Sequence, residues 1–539
     1  MTTTLIHLFL LITVTALTSC TGSETEQYVE MPPQDKVKTE FPDPPGEIPA
    51  GDRIMPYKNN PFYWQYKGEP LVLIGGTRDH NAFNQPGTEH PEIEWDLEFS
   101  MDRYREAGIN FMRNTMTHRD IGNVYPYLRR KDVGYDSSGD NYPDNDNSLF
   151  DLRQPNPEYW NRFARFLKMA YERNIIVQVE VWDIHDYFRD THSYWHPYGG
   201  WSKNPFNPKN NINYDSGDSG LPESVEMPPA RYSDKIHPFF HTVPELMNLP
   251  LALEYQQRFV DKILDLSLPY PNVVYCVHNE TLHAYEFGEY WAGYIQRYAA
   301  EAGFTAQVGE MRFRHYQFAR IIDQPELFDF IDISQNTNFT GDEYWYKLAE
   351  IRNRILHTKT RPIQNVKIYG SKIESSWRQN EDETISTFWQ LLLGGAASAR
   401  FHRPPAGIGM VRGETEWSGS DWNGRDWNDL PRSIFKSFHI MRQEIDIFDL
   451  EPDTHFRLLA NRAPHEAYMA YTPNRQYVLY FPYGGEVLLN MTATDGTFNL
   501  QWLNIHKSEL TKPETILAGE IISLSTPDTS HWLALITKQ

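Results

Sequence analysis

Cysteine is nearly absent. Cys20 and Cys276 are the only two in 539 residues, so no disulfide framework holds the fold. Basic residues are in deficit: 50 Lys and Arg face 72 Asp and Glu, a formal charge of −22. That balance argues against nucleic acid as a partner. It also disfavours a polyanionic substrate, unless a local cluster of Arg and Lys overrides the average. Runs long and apolar enough for repeated membrane crossing are missing, and a mean hydropathy of −0.61 excludes a multi-span membrane protein. There is no Gly-x-Ser-x-Gly elbow, phosphate loop or dinucleotide fingerprint, which removes motif-level support for those chemistries. No internal repeat of solenoid period is visible.

What the chain does have is length and aromatic mass. The 539 residues predict a large domain plus a smaller one, and 40% hydrophobic content is ample for a core. Fifteen Trp and 32 Tyr contribute to 14% aromatics. Such rings stack on the apolar faces of sugars, and they also fill cores.

Leu5 to Leu17 is a short apolar stretch of the kind found in export signals. It runs into Leu17-Thr18-Ser19-Cys20, which resembles the lipobox of bacterial lipoproteins. The resemblance implies cleavage at residues 1–20, lipidation of Cys20 and anchoring to the outer membrane. The segment before the apolar stretch departs from the pattern in lacking Lys and Arg. The run Ser23-Glu24-Thr25-Glu26 is similar to surface-export signals of Bacteroidetes lipoproteins. A plain cleaved secretory signal is the alternative. Residues 21–50 are polar, acidic and Pro-rich and read as a disordered tether.

From about Tyr57 onward, strand-like and helix-like patterns alternate. Strands are expected at Leu71–Ile74, Asn110–Asn114, Ile175–Val181, Val273–Asn279, Phe304–Val308, Phe330–Ile333, Pro362–Tyr369 and Ala399–His402. Helices are expected between them, the clearest after Asn156-Pro157, a capping residue followed by a first-position proline. Eight such pairs predict a (β/α)8 TIM barrel over residues 51–448. After Asp449 short strands separated by turns predict a small antiparallel β-sandwich over 449–539.

The stretch Val273 to Thr281, VVYCVHNET, is the focus. A buried strand ends in Asn279-Glu280, and a helical pattern begins at Phe287. In a β/α barrel that strand end is where catalytic groups sit. Asn279 can hold a substrate hydroxyl while Glu280, partly desolvated, keeps a proton to donate. The plain alternative is a helix-capping Asn with an exposed first-turn Glu. Other strand ends offer Asp79, Arg113-Asn114, Glu180, Trp182-Asp183 with His185, and His402.

Asn279-Glu280 after a fourth strand, with Arg113-Asn114 after a second, resembles the large retaining clan of barrel glycoside hydrolases. The ordered chain as a whole resembles bacterial apiosidase-like barrels carrying a C-terminal sandwich named for collagen binding. That resemblance implies Glu280 as acid/base, Arg113 as buttress, and a nucleophilic carboxylate at the end of strand seven. Retaining chemistry needs the two carboxyls about 5–5.5 Å apart. Glu374 is the expected nucleophile, although Lys367 stands where such relatives often carry Glu. Glu180, Asp183 and Asp79 are the substitutes. The other reading of Glu180 is a barrel-interior ion pair with Arg113 or Lys367.

Asp183-Ile184-His185-Asp186, with Asp190, His192 and His196, matches no zinc spacing and reads as a polar subsite loop. Residues 136–147 are oxygen-rich yet lack calcium-loop order. Trp417, Trp422 and Trp427 lie in a Gly/Asp/Asn loop where exposure of tryptophan needs a use, such as sugar stacking. No metal and no cofactor is expected. The sequence therefore predicts an exported glycoside hydrolase acting on a plant or algal polysaccharide or oligosaccharide. A carbohydrate-binding or adhesion lipoprotein on the same scaffold is the alternative.

Overall fold

The computed structural model describes residues 41–76, 81–84, 97–118, 123–135, 146–187, 200–225, 237–336, 339–369, 381–403 and 429–539. Among the described residues eight parallel strands follow one another, the seventh in two pieces: β1 (Leu73–Gly75), β2 (Phe111–Thr115), β3 (Ile176–Asp183), β4 (Val273–Asn279), β5 (Val308–Gly309), β6 (Ile331–Asp332), β7 (Ile363–Gln364 and Ile368–Tyr369) and β8 (Ser398–Arg403). After them in turn come α1 (Leu97–Glu106), α2 (Pro157–Glu172), α3 (Pro250–Ser267), α4 (Tyr285–Glu301), α5 (Phe318–Ile322), α6 (Gly341–Leu356), α7 (Glu381–Leu393) and α8 (Asp429–Glu444). Parallel ladders join β2–β3–β4–β5, β6–β7 and β7–β8–β1. A bridge between Met311 and Asp332 links the segments after β4. The Asn110 side chain spans β1 and β2, accepting from Ile74 N and donating to Val72 O. This is a TIM-barrel-like α/β arrangement.

Local chemistry explains the elements. Asn156 caps α2 by accepting from Glu158 N, Pro157 takes the first helical position, and Tyr159, Trp160, Phe163, Phe166, Leu167 and Ala170 form its buried stripe. β3 and β4 are buried throughout, as strands covered on both faces must be.

One end of the strand array is plugged by a segment with no place in the sequence-based list. An antiparallel hairpin (Trp64–Tyr66 paired with Glu69–Leu71, and Met55–Pro56 alongside) inserts Trp64 among Leu73, Phe111, Ile176, Val274, Phe330 and Ala397. These residues begin or precede their strands, so Trp64 closes the N-terminal end. Its indole Nε1 donates to Gln364 Oε1 at 2.8 Å, and Gln364 Nε2 donates to Gln178 Oε1 at 2.7 Å. Trp64→Ala is expected to cost about 3–5 kcal/mol in denaturant unfolding, from lost burial plus an unfilled cavity.

A second unexpected hairpin, Tyr127–Tyr135 with Ser148–Pro155, lies between β2 and α2. Most of the oxygen-rich stretch 136–147 lies outside the described residues.

The C-terminal region is sheet-rich, as predicted. Tyr468–Thr472, Gln476–Phe481, Trp532–Lys538 and Thr497–Asn504 form an antiparallel sheet, and Leu459–Ala460, Glu486–Asn490 and Ile521–Ser525 a smaller one. Met469, Leu479, Phe481, Val487, Leu489 and Ile536 share an apolar cluster. The alternate residues Tyr468, Ala470, Val478, Tyr480, Leu533 and Leu535 belong to the core of the α/β region instead. The larger sheet is thus buried on both faces. Trp389 of α7 stacks on Tyr480 at 6.3 Å, and Trp345 of α6 meets Tyr468 at 5.3 Å. Arg462 pairs with Asp342, and Arg352 with Glu451. Residues 51–448 produced alone are therefore expected to be poorly soluble and less stable, because Trp345 and Trp389 lose their cover. A native-like melting temperature for that fragment would show the sheet-rich region to be dispensable.

Candidate functional site

Glu280 follows β4 directly and adopts φ +58°, a left-handed conformation that costs a non-glycine residue about 1–2 kcal/mol. Its surroundings hold it there. Phe313 N donates to Thr281 O at 3.0 Å, and His283 N to Thr281 Oγ1 at 3.1 Å. Arg312 Nη2 donates to His283 O at 2.6 Å and Nη1 to Glu310 Oε1 at 3.1 Å, while Glu310 also meets His278 Nδ1 at 2.9 Å. Burial pushes the Glu310 carboxyl up, but Arg312 and His278 more than offset it, so it lies below the usual range. Side-chain alternation breaks at the end of β4. Val274 and Cys276 face inward, whereas His278 packs on Phe240 and Phe287 of the outer layer. Asn279 and Glu280 then turn toward β7.

What they meet there is Lys367. Its Nζ donates to Asn279 Oδ1 at 2.6 Å and to Glu280 Oε1 at 2.5 Å. Gln335, just after β6, donates Nε2 to Glu280 Oε1 at 2.9 Å, and His185 Nε2 lies 3.5 Å from Glu280 Oε2. Glu280 is 5% exposed and Lys367 1%. Lys367 is positioned by an interruption in β7 whose backbone groups are satisfied by side chains. Asn365 N donates to Ser398 Oγ, Val366 N to Ser334 Oγ and Lys367 N to Asn365 Oδ1, while Val366 O accepts from Arg400 Nη1. The continuous strand expected over Pro362–Tyr369 is therefore two short pieces.

Below this pair lies a buried polar layer. Arg113 grips Glu180 with two parallel hydrogen bonds, Nε to Oε1 at 2.8 Å and Nη2 to Oε2, and both side chains are fully buried. Gln178 Nε2 donates to Glu180 Oε1 and Asp332 Oδ2, each at 3.2 Å. The Asp332 carboxyl is pushed up to about 6, chiefly by burial and further by the charge of Glu180, against hydrogen bonds from Ser334.

The other sequence-derived residues divide as follows. Glu180 neutralises Arg113 within the interior and does not line the strand ends, so the substitute-nucleophile expectation gives way to the ion pair weighed beside it. Asn114 is fully buried, accepting from Ala82 N and donating to Thr115 O. Trp182 was expected to touch substrate, yet it is fully buried against Phe259, Phe239 and Trp291 because the end of β3 turns it toward α3 and α4. Asp183 caps the turn Ile184–Asp186 by accepting from His185 N, which delivers His185 to Glu280. His402 is buried at the end of β8. Asp79, Glu374, Trp422 and Cys20 lie outside the described residues, as do Trp417, Trp427, Asp190, His192 and His196. Gln335 was missed, for nothing in its sequence neighbourhood distinguishes it from a loop glutamine. Among the described residues no group of three or more His, Cys, Asp or Glu converges to hold a metal ion.

The insertion after β3 folds over Trp182 as an aromatic layer of Tyr187, Trp201, Phe206, Phe239 and Phe240. His237 caps its turn Pro238–His241 through Nδ1, and its pKa is pushed down to about 3, mainly by burial. The unfolded chain therefore binds a proton near pH 6.5 that the folded chain refuses until about pH 3. Stability rises with pH across that window and is lost as pH falls through it. His237→Asn keeps a capping side chain. It is expected to remove up to about 1.4 kcal/mol per pH unit from the slope of unfolding free energy between pH 6 and 4. Identical slopes in native and variant would contradict the assignment.

Comparison with known proteins bears on the scaffold. The chain is similar over 91% of its length to 97% of a solved protein described as a glycoside hydrolase (TM-score 0.58, 10% identity). It is also similar over 90% of its length to 93% of a glycoside hydrolase family 5 protein from Bacteroides vulgatus (TM-score 0.55, 11% identity). The fold is that of glycoside hydrolases. A domain family of unknown function, DUF6298, matches residues 116–359. That span holds Asn279, Glu280 and Gln335 and stops short of Lys367. No curated protein matches the chain in sequence. On this glycoside-hydrolase-like scaffold, Glu280 stands at the C-terminal end of β4, and Lys367 reaches it from the interruption in β7.

Proposed function

We propose that the chain is a glycosidase that cleaves O-glycosidic bonds in a plant or algal polysaccharide or oligosaccharide. Its scaffold is read as a closed (β/α)8 barrel over 51–448 with a β-sandwich over 449–539. The observation that carries the reading is Glu280. It is a buried carboxylate at a strand end, kept in a strained backbone conformation by packing, and such strain concentrates at functional sites. Glu280 protonates the leaving oxygen and Glu374 supplies the partner carboxylate. Asn279 and His185 orient the substrate. In the free protein Lys367 donates to Glu280, so donation of a proton by Glu280 requires that contact to open.

The same ion pair favours a second reading, a carbohydrate-binding or adhesion protein that has kept the scaffold without turnover. Sugar release from a glycan panel separates the two. Release by native protein and its loss in Glu280→Gln supports hydrolysis, whereas binding without release by native protein favours the second reading.

Export through residues 1–20 and anchoring to the outer membrane through a lipid on Cys20 belong to the same proposal. Cys20→Ala should release the protein from the membrane fraction, and an unchanged distribution would sink the anchor.

A further inference from the structure

An ammonium group carries three donors, and Lys367 uses two of them, on Asn279 Oδ1 and Glu280 Oε1. Among the described residues the third has no acceptor. Other cations nearby are already engaged: Arg113 is held by Glu180, and Arg400 donates to Val366 O. Lys367 is thus a buried cation with a spare donor at the strand ends, satisfied for now by a carboxylate of the protein itself. The donors that gather around Glu280, namely Lys367 and Gln335 with His185 beside them, already form a carboxylate-binding set.

We propose, resting on the glycosidase reading above, that Lys367 receives the carboxylate of a uronosyl unit in the substrate and thereby releases Glu280 from its ion pair. The incoming anion shares the ammonium through a charge-assisted hydrogen bond. Glu280 then has a second negative charge beside it and less of the cation, and both changes favour its protonated form. The proton comes from solvent. It passes to the glycosidic oxygen as the bond from the anomeric carbon to that oxygen breaks; the bonding pair leaves with the oxygen as a hydroxyl, the partner carboxylate of that reading forms the new bond to the anomeric carbon, and water then displaces it, returning a proton to Glu280. Substrate binding in this way converts a resting carboxylate into the acid that the reaction needs.

Two further observations agree. Burial, with Arg113 adding to it, draws Lys367 below the ordinary lysine range, while Glu280 and Glu180 act the other way, so an added anion supports its charged form. The overall charge of −22 repels polyanions, so the fit is to a single uronosyl unit at the site, with neutral sugar elsewhere.

The test uses full-length protein and a set of uronosyl-terminated oligosaccharides, each with its carboxyl-reduced and its sulfated counterpart. Binding is followed by calorimetry and cleavage by product analysis. Native protein is expected to bind a uronosyl form at least about tenfold more tightly than its reduced form, the scale of one charge-assisted contact. Lys367→Gln is expected to bind the two alike. Equal binding of both forms by native protein, binding of neither, stronger binding of the sulfated form, or a preference that survives in Lys367→Gln would each overturn the proposal. The native comparison stands by itself if the variant does not fold. Uronosyl preference in binding with no cleavage would leave this inference intact and remove the glycosidase reading. Cleavage of neutral glycans alone would do the reverse.

Discussion

Glu280→Gln is expected to lower turnover about 10²–10⁴-fold on substrates with poor leaving groups, the usual contribution of a positioned general acid. Glutamine has nearly the same shape and can still accept from Lys367 and Gln335, so the loss reports the missing proton and not a collapsed site. On aryl glycosides, whose leaving group needs little protonation, the same variant should lose much less. The contrast between the two substrate classes is the informative measurement. Equal losses on both would point to disruption of the site, and an unchanged rate on both would remove Glu280 from the chemistry.

Lys367→Met is expected to destabilise the fold by about 3–5 kcal/mol, the scale for removing one partner of a buried ion pair. Methionine fills much the same volume, so the cost is electrostatic. In the native protein Glu280 is buried, with Gln335 donating to Oε1 and His185 3.5 Å from Oε2, and neither replaces the ammonium charge. Adding Glu280→Gln to Lys367→Met removes the other charge of the pair and should recover most of the loss, because deleting both partners of a buried pair is close to neutral. Denaturant unfolding of the native protein, both single variants and the double variant completes the cycle. A coupling near zero would mean that Lys367 does not neutralise Glu280.

Periodicity carried most of the architecture. The apolar stripe of α2 with its Asn-Pro start, the uninterrupted burial of β3 and β4, and the change to short antiparallel strands after Asp449 are all legible residue by residue, because each is a local pattern that burial imposes. Elements without such a pattern were not legible. The Trp64 hairpin is three residues to a strand, too short for alternation to register, and its role depends on strands hundreds of residues away. The split in β7 is invisible because its backbone is satisfied by Ser398 and Arg400 of β8 and by Ser334 of the turn after β6, all distant in sequence.

At the site the division follows the same principle. The sequence alone placed Asn279-Glu280 at the end of a buried strand, a matter of position along the chain, and the resemblance to barrel glycoside hydrolases marked Lys367 as a departure at strand seven. It could not tell which way Trp182 turns or whether Glu180 reaches a ligand, because two residues at a strand end differ only in which layer they face. Tertiary structure decided that Arg113 consumes Glu180, that Trp182 belongs to the outer aromatic layer, and that Lys367 lies within hydrogen-bonding distance of Glu280 across the strand ends. Pairing of charges inside a protein is a consequence of three-dimensional proximity in a medium of low dielectric. An 87-residue separation between Glu280 and Lys367 therefore says nothing about it until the strands are assembled.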